Sequence, residues 1–312
     1  MKEKSSSPVR LRDFVRDAHN WIYSVTAYDN NERVGCLLRY IPDENGDRVS
    51  PDGERYRKVG FEEAYEMIAE VHPSYVGLMH RVPLSDITQI YKPDCMVSSL
   101  VDHDDQIKRL CNLFSGLSFG VTGSRVVGLG SSGSDIDGVV YGTDFRTAQI
   151  RLQEGIKQGT VSDLSDELWE AVYKKRNPEL SYDDFLAHEA RKWNRGQIDE
   201  TYFDLLYVRS YAEMSGYHVP IGKKGQMKEI EAIVTDAQYA YDSPAIYAVD
   251  HPEYDAVVSF THTYAGQAVV GEQIKAKGVT ETHTDGTRWL VIGSTRVAEG
   301  EYIKSQTLLE SL

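Results

Sequence analysis

The sequence predicts a mixed α+β protein in three parts: an N-terminal α+β unit over 1–100, a central α/β domain over 101–212 and a β-rich C-terminal small barrel or sandwich over 213–312. Three observations carry this. Amphipathic helices alternate with apolar strands through the middle of the chain. The stretch Ser118–Gly142, SFGVTGSRVVGLGSSGSDIDGVVYG, reads as strand, Gly-Ser turn, glycine- and serine-rich connection and second strand. The last third breaks into short β-like runs separated by turn residues.

Residues 1–9 are polar and serine-rich and read as a loose tail. NWIYSVTAYD from Asn20 and VGCLLRYIP over Val34–Pro42 form a hairpin candidate across the polar break DNNER. Asn45-Gly46 and Asp52-Gly53 mark turns. FEEAYEMIAEVHP is helical, with Phe61, Ala64, Tyr65, Ile68 and Ala69 on one face and Pro73 as a stop. The spacing of Ile87, Ile90 and Tyr91 predicts a second, shorter helix from Pro83-Leu84 to about Pro93. A helix over Val101–Leu117 buries Ile107, Leu110, Cys111 and Phe114, with Asp102 or Asp104 as its cap and Gly116 at its end.

Beyond Gly142, three helices are expected: TDFRTAQIRLQEGIKQG, SDLSDELWEAVYKKRN and SYDDFLAHEARKWNRG. The strand TYFDLLYVRS over Thr201–Ser210 follows, and MSGYHVPIGKKGQ then reads as a linker or hairpin loop. IEAIVTDA, AIYAVD, AVVSFTHTY, EQIKAKGVTET, RWLVIGSTRV and EYIKSQ complete the chain as β-like runs.

Composition narrows the class. Hydrophobic residues make up 41% and charged residues 26% of 312, as in ordinary water-soluble domains. No apolar run reaches the roughly 18 residues of a membrane span, and the N-terminus has no apolar leader segment, so a cytoplasmic protein without membrane contact is expected. The three cysteines, Cys36, Cys95 and Cys111, are far apart and suit reduced thiols. A net charge of −14 counts against a general nucleic-acid coat, whose affinity comes from neutralising phosphates. The nine histidines show no metal spacing, and the Gly128–Gly133 loop lacks the Gly-Lys-Ser/Thr ending of a P-loop.

The chemistry concentrates in Ser118–Gly142. Gly123 and Ser124 can offer backbone N–H groups and a hydroxyl to a phosphate. Asp135 and Asp137, two residues apart on a predicted strand, send both carboxylates from one face. Paired carboxylates beside a phosphate cradle suit divalent-metal phosphoryl transfer.

Gly123-Ser124, a ten-residue spacer and Asp135-Ile136-Asp137, with Ser134 before the first aspartate and Val139-Val140-Tyr141 after the second, resemble the signature of the polymerase-beta-like nucleotidyltransferase superfamily. The likeness covers about 25 residues strictly and Val101–Tyr211 as a domain of the compact bacterial and archaeal type. It implies a palm-like central domain that moves a nucleoside monophosphate from an NTP such as ATP to an acceptor hydroxyl, releasing pyrophosphate. Asp135 and Asp137 would then hold Mg2+, with Mn2+ as an alternative, and Gly123, Ser124, Arg125 and Ser134 would hold the nucleotide. A third carboxylate on a later strand is also implied. Asp204 fits, as the only charge within Tyr202–Tyr207, although the helical insertion before it is longer than in compact relatives. Asp199, Asp183 and Asp184 are the rivals.

The acceptor is left open between nucleic acid, protein and small molecule. Two other classes remain: a non-catalytic nucleotide- or nucleic-acid-binding module, and an antitoxin-like protein-modifying partner on the same fold. Further basic groups are exposed helix ends or strand faces on the plainest view and ligand contacts on the sharper one. They are Arg191, Lys192 and Arg195 beside His188 and Trp193; Lys174, Lys175 and Arg176; Lys223-Lys224; and Arg39, Tyr40, Arg55, Tyr56 and Arg57.

Overall fold

The computed structural model describes residues 7–131, 133–293 and 298–312. Most of the predicted tail, Ser132 of the motif loop and the 294–297 end of the RWLVIGSTRV run lie outside the described residues. The protein is mixed α+β and forms two compact units: Met1–Ser162 with Gly196–His218, and Asp163–Arg195 with Val219–Leu312. The expected N-terminal unit and most of the expected central domain thus share one unit. Two helices expected in the central domain join the C-terminal strands instead.

In the first unit the chain runs β1 (Phe14–Asp17), β2 (Ile22–Val25), β3 (Arg33–Pro42), β4 (Arg48–Val49), β5 (Arg55–Lys58), α1 (Phe61–Val71), β6 (His80–Pro83), β7 (Ile87–Tyr91), α2 (Pro93–Leu100), α3 (Asp105–Leu113), β8 (Phe119–Thr122), α4 (Gly123–Val126), β9 (Ile136–Tyr141) and α5 (Asp144–Lys157). The second unit opens with α6 (Asp166–Arg176) and α7 (Tyr182–Ala190). The chain then passes through β10 (Arg195–Ile198), β11 (Thr201–Val208) and α8 (Tyr211–Met214). It ends in the second unit with β12 (Lys223–Asp236), β13 (Ala245–Asp250), β14 (Ala256–Ser259), β15 (Gln273–Thr282), β16 (Arg288–Ile292), β17 (Tyr302–Ser305) and α9 (Gln306–Glu310).

The first unit holds two sheets. One has the order β4-β5-β3-β2-β1-β7, with β6 also on β3. Its strands face two cores, and a register shift that leaves Arg39 as an extra residue on β3 sends Leu38 and Tyr40 to opposite ones. Val15, Tyr23 and Leu38 face Ala64 and Ile68 of α1, while Phe14, Ile22 and Tyr40 face Val126, Val127 and Leu129 beyond the Gly-Ser turn. The helix predicted over Pro83–Pro93 is corrected here: Ile87–Tyr91 is a strand, antiparallel to β1, and helix α2 begins only at Pro93. Ile87, Thr88 and Ile90 are β-branched, and the open edge of β1 offers them a ladder that local periodicity cannot reveal.

The other sheet has the order β10-β11-β9-β8. β8 and β9 are antiparallel neighbours, whereas β9 and β11 run parallel. α3 precedes this sheet, capped by Asp104, whose Oδ1 accepts the Gln106 and Ile107 N–H groups at 3.1 and 3.0 Å. Gly116, at φ +78°, lies just beyond it. α5 buries Phe145, Ala148 and Leu152.

All six predicted C-terminal runs are strands of one sheet, β12-β13-β14-β16-β15-β17. β12 also pairs with β15, so the pairings β12–β13–β14–β16–β15–β12 close a ring. Helix α7 joins it through His188, whose Nε2 accepts the Ser305 N–H at 2.9 Å while Nδ1 bonds the Asp184 carbonyl at 2.6 Å. Among the described residues no helix is long and apolar enough to cross a membrane.

Two buried histidines give the fold an acid-sensitive element. Burial pushes His80 down to about 4, and His188 likewise to about 4. Each folded value lies below the unfolded one. The stability from keeping the ring neutral is therefore present above about pH 6.5 and is lost as pH falls toward 4. Neither His80 ring nitrogen has a hydrogen-bond partner among the described residues, and the ring packs on Tyr65 at 4.6 Å. His80→Phe should therefore flatten the fall of Tm between pH 6.5 and 4.5. A slope unchanged from wild type would contradict this origin.

Candidate functional site

The parallel register of β9 and β11 places Asp204 directly opposite Asp137. Register partners on adjacent strands project from the same face, about 4.8 Å apart along the hydrogen-bonding direction. Both carboxylates are half-buried, while Phe203, Leu205, Ile136 and Gly138 on either side are buried. Asp135 is placed differently. It precedes the first residue of β9, is exposed, and makes no ion pair among the described residues. Among the described residues no three His, Cys, Asp or Glu side chains converge to cage an ion. The structure thus brings Asp137 and Asp204 together and leaves Asp135 at the strand entrance. Of the rivals to Asp204, Asp183 lies in the first turn of α7 with Asp184, and Asp199 pairs with Arg109 at 2.6 Å.

Gly123 closes one side of this pair. Thr122 of β8 is the register partner of Asp137, so the chain turns into Gly123 beside the carboxylate. Gly123 has φ +74°, and a Cβ there would collide with Asp137 Oδ2. Both facts call for glycine. Ser124 follows, half-buried, its hydroxyl without a hydrogen-bond partner among the described residues.

Arg125 and Ser134 lock the loop. The Arg125 guanidinium pairs with Asp104 Oδ2 and donates to the Ser134 carbonyl at 2.7 Å. Gly130 gives it room, since a Cβ there would lie 2.9 Å from Arg125 Cγ. The Ser134 hydroxyl accepts the Ser131 N–H at 3.0 Å and an Arg48 Nη1–H at 3.2 Å. Arg48 also reaches the Leu129 carbonyl at 3.3 Å. These two predicted ligand contacts are thus engaged within the protein, holding the segment that leads into Asp135.

The β1–β7 sheet adds residues that the motif does not contain. Burial is the main cause that raises the Tyr40 pKa; Arg39 and Arg48 oppose the rise, and Asp137 and Asp47 add to it. The Tyr40 hydroxyl therefore lies within electrostatic range of the carboxylate. The remaining tyrosine and arginines of that patch are partly structural: Tyr56 is buried and Arg57 bridges Asp43 and Glu63 at 3.0 and 2.7 Å.

The Arg191–Arg195 cluster is neither an exposed helix end nor an accessible surface. Within the second unit Lys192 Nζ meets Glu189 at 2.6 Å, Arg195 pairs with the same carboxylate, and Arg176 stands 3.7 Å from it. Burial alone would raise the Glu189 pKa, but Arg195, Lys192 and Arg176 together hold it down to about 2. Arg191 binds Glu272 at 2.6 Å. This is an internal ion network. Lys174 pairs with Glu170 one helical turn away, and Lys223 and Lys224 are exposed on β12.

An oxygen-only pair such as Asp137 and Asp204 suits a hard divalent cation rather than zinc. No family model and no solved structure matches the chain. A search of curated proteins finds a relative 33% identical over 335 aligned positions, which span 95% of this chain and 98% of the relative. The chain therefore belongs to the same family as the uncharacterized protein MJ1086 of Methanocaldococcus jannaschii.

Proposed function

We propose that the protein is a nucleotidyltransferase that uses Mg2+, or Mn2+, to move a nucleoside monophosphate from an NTP to an acceptor hydroxyl with release of pyrophosphate. The observation that carries this reading is the pairing of Asp204 with Asp137 across parallel strands, beside a glycine turn with no room for a Cβ. On this reading the β8–β11 sheet is the palm. The closed ring of β12 to β16 is a small barrel available for acceptor recognition, by nucleic acid or protein. Location in the cytoplasm, where NTPs are abundant, fits the same proposal.

Each residue then has a definite task. Asp137 and Asp204 would hold the cation, and Asp135, at the strand entrance, would be the third carboxylate available to it. When bound, the cation supplies charge neutralisation for the phosphates and for the attacking hydroxyl. Ser124 and the turn backbone hold phosphate oxygens. Arg125 acts by position, fixing the Ser131–Asp135 loop through the Ser134 carbonyl. The exposure of Asp135, with no three-carboxylate cage among the described residues, favours one second reading, a non-catalytic nucleotide-binding module.

Replacing Asp137 or Asp204 with Asn should lower metal-dependent pyrophosphate release by at least about 10^2–10^3-fold, with Tm nearly unchanged because both groups are only half-buried. Turnover at the wild-type rate in either variant would sink the catalytic reading. Asp135→Asn separates the two readings: the enzyme reading predicts a comparable loss, and the binding-module reading predicts no turnover even in wild type. Gly123→Ala should destabilise the fold by about 1–3 kcal/mol and abolish release, since its methyl group displaces Asp137. Activity near wild type would show that the close approach is dispensable.

A further inference from the structure

We infer that Arg12, from the N-terminal segment and outside the motif, binds the polyphosphate tail at the Gly123–Ser124 turn. This deepens the nucleotide reading above and rests on it. Leu11 packs against Val139, Tyr141 and Val208. Those three share a sheet face with Asp137 and Asp204, because side chains alternate along β9 and β11 and the strands are in register. The segment therefore lies on the carboxylate face. At its next residue the Arg12 carbonyl accepts the Thr122 hydroxyl proton at 2.6 Å. Thr122 is the register partner of Asp137 and immediately precedes Gly123.

Arg12 has φ +71°, a left-handed conformation that a long side chain adopts only where its surroundings enforce it. The enforcement is visible. Asp13 Oδ2 accepts the Arg10 N–H at 2.9 Å and Lys92 Nζ–H at 3.0 Å, with both side chains of the ion pair buried. Lys92 also donates to the Pro8 carbonyl at 2.7 Å. The Arg10 guanidinium lies between the rings of Tyr141 and Tyr211, 3.9 and 4.0 Å from their centroids, and binds Asp94 at 2.6 Å. Among the described residues Arg10, Asp13 and Lys92 each have an ion-pair partner, and Arg12 has none. Arg12 Nε is buried without a hydrogen-bond partner, and the side chain makes no ion pair among the described residues. Arg48 and Arg125, the other arginines near the loop, are already engaged. A guanidinium with no ion-pair partner among the described residues, carried on backbone that bonds the residue before Gly123, suits an oxyanion that binds two donors at once.

The test is titration of inorganic tripolyphosphate and of an α,β-methylene nucleoside triphosphate into wild type, Arg12→Gly and Arg12→Lys, with Tm measured for each. Arg12→Gly should weaken both ligands by about 10-fold or more while Tm stays level or rises, since glycine accepts the left-handed backbone. Arg12→Lys should recover part of the affinity. Wild-type affinity in Arg12→Gly overturns the assignment of Arg12 and leaves the proposed function standing, as does a fall in Tm that would make the residue structural. Wild-type protein that binds neither ligand overturns both.

Discussion

The site depends on one constraint, the parallel register that sets Asp204 against Asp137. Side chains alternate with a period of two, so a slip of one residue would send one carboxylate to the opposite face. The buried neighbours Phe203, Leu205 and Ile136, on the opposite face, oppose that slip by belonging to the core. Two carboxylates on register partners repel one another where no cation lies between them, and water around the half-buried pair screens that repulsion. A fold that keeps such a pair gains from a bound cation, and the collision of a Cβ at Gly123 with Asp137 shows how closely backbone approaches the same point.

The rest of the first unit serves that register by fixing what surrounds it. The β1–β7 sheet buries Phe14, Ile22 and Tyr40 against Val126, Val127 and Leu129, so the exit of the Gly-Ser turn is seated on a second sheet. Arg125 then ties the N-cap of α3 to the carbonyl before Asp135, and Arg48 ties β4 to the same serine. Charged groups here act mainly as fasteners. The second unit uses the same device internally, where Glu189 gathers Lys192, Arg195 and Arg176.

Much of this was legible in the sequence where the signal is local. Helices α1, α3, α5, α6 and α7 follow their apolar spacing and caps, and β12 to β17 follow their alternation and turns. Asp204 stood out because a lone charge in an apolar strand needs a reason. Strands β1, β6 and β7 were missed or misassigned because each is short and exists through pairing with residues distant in sequence. The same distance hid Arg12 and Arg48, and hid the engagement of Arg125 by Asp104. Residue type and spacing gave the Arg191–Arg195 cluster an exposed look that its buried carboxylate partner removes.

Following the two ends of an NTP separately tests the central claim most directly. The protein is incubated with Mg2+, cellular RNA or protein, and NTP labelled at either the α- or the γ-phosphorus. Nucleotidyl transfer predicts that α-label appears on a macromolecular or small acceptor while γ-label leaves only as pyrophosphate. Transfer of γ-label to an acceptor, or its release as inorganic phosphate alone, would contradict the account.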